Sequence, residues 1–337
     1  MARHFNFADL FELAVDKVPD RVALIDTRRQ VTFRELDERV NGLAHTLAAR
    51  GVKAGDHVGI LATNSIEWAE ALMAIYKLRC SAININYRYV EDELKYIFEN
   101  SDIVALVYMR EYGPLVAAAR SAQPKLQTFV RIEWNGADAD AERTADGALD
   151  PIEFEAAVAA GSPERDFGER SPDDIYILYT GGTTGMPKGV MWRQEDVYFA
   201  LAGGIDVFTH ERNAYPEVAS EKIDATQPSG LVMLIIPPFM HGAGQMTLYR
   251  ALFEGGTAVI PAAFDADEVW RLVQEYKINM MSVTGDAMAR PLADALEAGN
   301  YDVSSLLSFS STAAIFSQTV KEQLQDLLPE YTVMIDS

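Results

Sequence analysis

Cysteine is almost missing: Cys80 stands alone in 337 residues. No disulfide can form within the chain, a small cross-linked scaffold is excluded, and a reducing, cytoplasmic compartment is the expected setting. Basic residues are scarce as well. Lys and Arg number 29 against 50 Asp and Glu, a formal net charge of −21, and they nowhere form a run. Such a surface repels nucleic acid and anionic lipid, so no nucleic-acid partner is expected. Long apolar runs are also lacking. The longest, 231–240, is about half of what spans a bilayer and contains Pro237 and Pro238. No transmembrane segment is expected, and Asp9, Glu12 and Asp16 break up any apolar core of a secretory signal. What remains is an ordinary globular balance, 49% hydrophobic and 23% charged, with material for a large core. At roughly 150 residues per domain, about two domains are expected.

Helix and strand signals alternate through most of the chain. Thr32 with Glu35 reads as a capping box, followed at helical spacing by Leu36, Val40, Leu43 and Leu47, with Gly51 placed to end the helix. Strands are expected at 58–62, 82–85, 103–108, 175–179, 231–236, 258–260, 280–283, 306–309 and 332–335. Helices are expected near 66–78, 91–99, 151–160, 267–276 and 317–328. From 136 to 174 the periodicity fades into Ala, Asp, Glu, Gly and Pro, which reads as a solvated connection around one helix. Strands separated by helices argue for an α/β fold: two doubly wound, mostly parallel sheets with helices on both faces.

The chemistry-bearing segment is Tyr179-Thr180-Gly181-Gly182-Thr183-Thr184-Gly185-Met186-Pro187-Lys188-Gly189-Val190. Residues 180–185 hold three glycines and three threonines, and a lysine follows. Glycines let backbone N–H groups approach a phosphate closely. Hydroxyls can donate to phosphate oxygens or ligate Mg²⁺, and a lysine adds a compact positive charge. A Walker A loop is excluded, because Pro187 precedes Lys188 and Gly189 follows it. The extended look of 190–192 suggests a loop joining two strands rather than opening a helix. Read alone, the segment is equally compatible with a Gly/Thr hairpin and a solvated lysine.

The full pattern closely resembles the phosphate-loop signature of the adenylate-forming superfamily, which includes acyl-CoA synthetases, peptide-synthetase adenylation domains and luciferases. Gly181 stands where the usual form has a serine. The resemblance continues through Val31-Thr32-Phe33-Arg34-Glu35-Leu36, Gly55-Asp56-His57-Val58, Asn64-Ser65-Ile66-Glu67-Trp68 and Glu91-Asp92-Glu93-Leu94. Pro237-Pro238-Phe239-Met240-His241-Gly242 is similar to the motif beside the family's acyl site. Ser310-Ser311-Thr312-Ala313-Ala314 stands where the family usually places Gly-Gly-x-Ala against adenine. With Lys188-Gly189-Val190-Met191-Trp192, this variant looks like bacterial ligases for long-chain or steroid-side-chain acids.

The resemblance implies an ATP-dependent acyl-CoA ligase using Mg²⁺, with coenzyme A as co-substrate. A carboxylate attacks ATP to give an acyl-adenylate and pyrophosphate, and the CoA thiol then displaces AMP. Thr183, Thr184, Gly185 and Lys188 would hold the β- and γ-phosphates beside Gly181 and Gly182, and Thr180 would seat Mg²⁺. Ser311, Thr312 and Ala313 would lie by the base, and His241 with Gly242 by the acyl carboxylate. Lys188 and His241 are the expected catalytic residues. The implied division sets 1–54 with 205–337 as the acyl and adenine subdomain, and 55–204 as the subdomain carrying the phosphate loop 179–190. The family's distal barrel and C-terminal domain are not expected here, so the chain reads as an N-terminal fragment, inactive by itself. Peripheral membrane contact and a homodimer stay open.

Other residues invite blander readings. His4, His45, His57 and His210 read as structural or surface groups, Cys80 as a small buried residue, and most of the methionines in 233–288 as core. Asp286 reads as a cap for the helix after it. The competing functional readings are a non-catalytic nucleotide- or acyl-binding module, an adenylating enzyme for another carboxylate, and an unrelated phosphotransferase.

Overall fold

The computed structural model describes residues 3–133, 146–181, 185–205 and 209–336. The chain divides into two compact units, Met1–Leu13 with Arg34–Val218, and Ala14–Phe33 with Ala219–Ser337.

The first unit is built on a five-stranded sheet in the order Ser81–Asn84, His57–Leu61, Ile103–Met109, Thr128–Ile132, Ile152–Glu153, parallel throughout. Its inner strands are buried along nearly their whole length, which is why they read as continuous apolar runs rather than alternating ones. Helix Ile66–Lys77 is buried at every position, and the Ser65 side chain caps it by accepting from the Trp68 N–H at 3.2 Å. Beside this sheet, Ile175–Thr180 and Lys188–Arg193 form a separate antiparallel hairpin.

The second unit is a seven-stranded sheet in the order Val333–Asp336, Ser308–Ser311, Met280–Val283, Val232–Ile235, Thr257–Val259, Val22–Ile25, Gln30–Thr32. Only the last pair is antiparallel. One of its cores gathers Trp270, Leu292, Phe309 and Leu324, and the Trp270 indole donates to the Leu292 carbonyl at 2.8 Å. Both sheets are thus mostly parallel with helices between their strands, as the alternation implies.

Four expectations are corrected. Residues 1–13, 34–54 and 205–218 fall in the first unit, where helix Phe33–Ala49 is fastened from Arg34 onward. Thr46 donates to the Ala157 carbonyl at 2.6 Å, Asn41 to that of Pro163 at 2.7 Å, and Arg39 pairs with Glu70 at 2.6 Å. A Cβ on Gly42 would run into the Val158 carbonyl, and one on Gly161 into that of Gly42, so this approach requires both glycines. Helix 151–160 begins only at Phe154, since Ile152–Glu153 joins the sheet edge. Strand 306–309 lies at Ser308–Ser311, after a turn in which the Leu306 N–H donates to the Val303 carbonyl. The described part of the acidic connection is not simply solvated: Asp146, Arg170 and Asp174 are buried because each is paired. Asp146 accepts from the Tyr108 hydroxyl at 2.7 Å and pairs with Arg131 at 2.6 Å.

A knot of buried charge ties the N-terminal helix, helix Phe33–Ala49 and the connection together. The Lys77 ammonium, wholly buried, donates to Glu12 at 2.8 Å and to Asp37 at 2.7 Å. Arg170 bridges Asp9 at 2.6 Å and Glu12 at 2.7 Å, while Arg165 reaches Asp37 at 2.6 Å. Burial opposes the charge on Glu12, but Lys77 and Arg170 outweigh it and hold the carboxyl at about 2. Burial also lowers the Lys77 pKa, against the pull of Asp37 and Glu12.

Candidate active site

The Gly/Thr segment joins two strands, as its flanks suggest. In the hairpin, Thr180 lies directly opposite Lys188, and Tyr179 opposite Gly189. Both members of the Thr180–Lys188 pair are exposed, and among the described residues the Lys188 side chain has no hydrogen-bond or ion-pair partner. A lysine and a hydroxyl side by side are groups that could meet an anion. Gly181 and Gly185 are exposed, and a Cβ on either would meet nothing within 4 Å. Gly182, Thr183 and Thr184 lie outside the described residues.

The feet of the loop are held from outside the hairpin. The Asn84 amide donates to the Tyr179 carbonyl at 3.0 Å and its oxygen accepts from the Tyr179 N–H at 2.8 Å. These two side-chain bonds stand in for a backbone ladder. The Tyr179 hydroxyl donates to the Asn100 side chain at 2.8 Å, and the Tyr96 hydroxyl donates to the Pro187 carbonyl at 3.0 Å. A Cβ at position 189 would come within 2.8 Å of the Tyr179 ring, so glycine lets the ring lie against the opposite strand. Sequence reasoning missed Asn84, Tyr96 and Asn100. The available signal was Asn84 itself, an amide at the end of the apolar run Ala82-Ile83.

His241, Gly242 and the Ser311 segment belong to the second unit. His241 is exposed and occupies the N-cap position of helix Gly242–Phe253, beyond the carboxyl end of strand Val232–Ile235. Its N–H donates to the Pro238 carbonyl at 2.9 Å. The buried Gln245 amide holds the same turn by donating to the Phe239 carbonyl at 2.8 Å. This places His241 where ligands of α/β sheets collect.

Ser311 is fully buried, and its hydroxyl accepts from the Gly285 N–H at 3.0 Å. The serine that stands in for a family glycine is therefore spent on tying two strand-end loops together. Thr312 donates its N–H to the Val283 carbonyl at 3.1 Å, and Ala313 is exposed with a left-handed φ of +63°. A conformation that favours glycine is here held by an alanine. Asp286 does not cap its own helix, where Gly285 takes the N-cap position. It accepts instead from the N–H of Ser317, the residue that starts helix Gln318–Leu327, at 2.8 Å.

No group of three or more His, Cys, Asp or Glu suited to a metal occurs among the described residues. A Mg²⁺ ion carried by substrate phosphates and water needs few protein ligands. Thr180 beside Lys188 could supply such a contact. No helix among the described residues is long and apolar enough to cross a membrane. Two other histidines have structural settings: the His57 ring meets the Ser101 carbonyl at 2.7 Å, and the His45 ring lies 2.7 Å from Asp166.

Comparison with known proteins gives one consistent family. Residues 11–336 match the family model described as AMP-binding enzyme. A 3-oxocholest-4-en-26-oate–CoA ligase of Rhodococcus rhodochrous is 50% identical, over 96% of this chain and 58% of that protein. A medium/long-chain-fatty-acid–CoA/3-oxocholest-4-en-26-oate–CoA ligase of Mycobacterium tuberculosis is 49% identical, over 99% of this chain and 60% of that protein. The chain thus spans under two thirds of the length of these curated relatives. Among solved structures, the inhibitor-bound N-terminal domain of FACL13 from Mycobacterium tuberculosis superimposes with a TM-score of 0.77. It is 22% identical and is matched over 98% of this chain and 75% of that one, a likeness of fold.

Proposed function

The chain belongs to the AMP-binding enzyme family, and on that premise we propose that it takes part in ATP-dependent activation of a long-chain fatty or steroid-side-chain carboxylate, followed by thioester formation with coenzyme A. The observation that carries this reading is the exposed Lys188, without a partner among the described residues, set opposite Thr180 at the mouth of the Gly/Thr loop. The acid class rests on the relatives' names.

The chemistry has two displacements. A carboxylate oxygen attacks the α-phosphorus of ATP, the α–β bridging bond breaks, and pyrophosphate leaves. The CoA sulfur then attacks the acyl carbon, its proton is lost, and AMP leaves. The first step brings two anions together, so it needs positive charge and donors on the departing pyrophosphate. Lys188 and the loop hydroxyls and N–H groups provide them, with Gly181, Gly182, Thr183, Thr184 and Gly185 around the phosphates. Thr180 lends its hydroxyl to Mg²⁺, which when bound neutralises phosphate charge. Thr312 and Ala313 border the base with the buried Ser311 behind them, and His241 with Gly242 borders the acyl carboxylate. A cytoplasmic setting supplies both ATP and coenzyme A.

We expect this stretch alone to bind Mg-ATP and to turn over little, so binding provides the test. Non-hydrolysable acyl-sulfamoyl adenosines carrying a long-chain, a steroid-side-chain or an aromatic acyl group would be titrated calorimetrically. One of the first two should bind at least about tenfold tighter than the aromatic analogue, a difference of ~1.4 kcal/mol. Tightest binding of the aromatic analogue would overturn the acid class, and no binding of any would overturn the adenylating reading.

A further inference from the structure

Both feet of the Gly/Thr loop are gripped by side chains that lie outside the loop's own strands. Tyr96 and Asn100 are four residues apart on helix Glu91–Asn100, so they share a face of it. One reaches the Pro187 carbonyl, the other the Tyr179 hydroxyl. Asn84, at the carboxyl end of strand Ser81–Asn84, takes both backbone groups of Tyr179. These four bonds converge on the residues immediately before Thr180 and Lys188.

We infer that Tyr96, Asn84 and Asn100 are positioning residues for triphosphate binding, setting the direction in which Lys188 and Thr180 leave the hairpin. This inference rests on the reading of the loop as a phosphate seat. The physical argument starts at Pro187. Its ring fixes φ, and a hydroxyl on its carbonyl fixes the plane of the peptide bond to Lys188. The Lys188 N–H and Cα lie in that same plane, so the Tyr96 bond orients the start of the lysine. On the other strand, Asn84 locks the orientation of the peptide groups on both sides of Tyr179, and the second of them leads to Thr180. A lysine with four rotatable side-chain bonds keeps its own freedom in solution. A rooted backbone lowers what must still be ordered when an anion arrives. Tyr96 is half-buried, so Tyr96→Phe keeps the packing of the ring and removes one hydrogen bond.

The test titrates Mg-ATP and, separately, AMP into the unchanged chain and into Tyr96→Phe, Asn100→Ala and Lys188→Ala. AMP lacks the β- and γ-phosphates, so it reports the rest of the nucleotide site. Tyr96→Phe should weaken Mg-ATP about fivefold, with AMP affinity held within about twofold and the melting temperature within about 2 °C. Asn100→Ala should act in the same direction, by roughly twofold. Mg-ATP affinity unchanged in Tyr96→Phe, while Lys188→Ala loses it, would overturn the inference and leave the phosphate seat intact. Equal losses for Mg-ATP and AMP would also overturn it, since that is the mark of a purely structural role. Failure of the unchanged chain to bind Mg-ATP would overturn the seat, and the inference with it.

Discussion

Lys77 and Lys188 belong to the same unit and carry the same charge, yet their surroundings are opposite. Lys77 is wholly buried, with carboxylates at 2.7 and 2.8 Å, in a knot that also pairs Arg165 and Arg170 with acids. Lys188 stands in solvent at the end of a hairpin, and no described side chain pairs with it. Neighbours consume the first charge completely and leave the second available. What separates the two is therefore the presence or absence of a described counter-ion. The cavity of about 270 Å³ beside the knot, whose lining includes Arg3, Asp9, Glu12, Arg165 and Arg170, has its charges paired in the same way. Its buried acids are already paired.

The contrast predicts opposite consequences for the two lysines. Lys77→Met removes the cation that Glu12 and Asp37 share, leaving Glu12 to Arg170 and Asp37 to Arg165, and should destabilise the chain by about 3 kcal/mol in urea unfolding. A loss below ~1 kcal/mol would mean that water or a shifted arginine replaces the ammonium, and the knot would not be the fixed structure described. Acid probes the same place. The folded-state pKa of Glu12, about 2, lies below its ordinary 4.5, so its contribution is fully present above pH 4.5 and disappears as pH falls through about 2. That gap corresponds to roughly 3 kcal/mol. A Glu12→Gln chain should show a correspondingly shallower fall in stability between those pH values. Lys188→Ala should leave urea stability within about 0.5 kcal/mol and weaken Mg-ATP roughly 10- to 100-fold. Unchanged nucleotide affinity would erase the distinction between the two lysines.

Much of the architecture was legible because its signals are local. Inner strands such as Ile103–Met109 announce themselves as unbroken apolar runs, and the Gly/Thr/Lys pattern needs no partner to be read. What escaped notice depends on distant chain. The bond from Asn84 to Tyr179 spans 95 residues and that from Tyr96 to Pro187 spans 91, so neither leaves a periodic trace. The boundary expected at residue 54 fails for the same reason: Gly42 and Gly161, which fasten residues 34–54 to the first unit, meet only in the folded chain. Strand Ser308–Ser311 was displaced because serines at 308, 310 and 311 dilute its apolar signal, although neighbouring parallel strands bury it. Ser311 shows how a substituted motif position misleads. Its hydroxyl serves the backbone of Gly285, a role that no comparison of motif letters could reveal.

The lone cysteine has a practical consequence. Cys80 is 1% exposed, its thiol donates to the Lys53 carbonyl at 3.1 Å, and burial with nearby acids pushes its pKa up to about 12. An alkylating reagent therefore meets neither an accessible sulfur nor a thiolate while the chain is closed. Each labelling event must wait for the surrounding structure to open, so modification of this single atom works as a clock for spontaneous opening. The same silence gives a clean background: a cysteine engineered anywhere on the surface would be the one group to carry a dye.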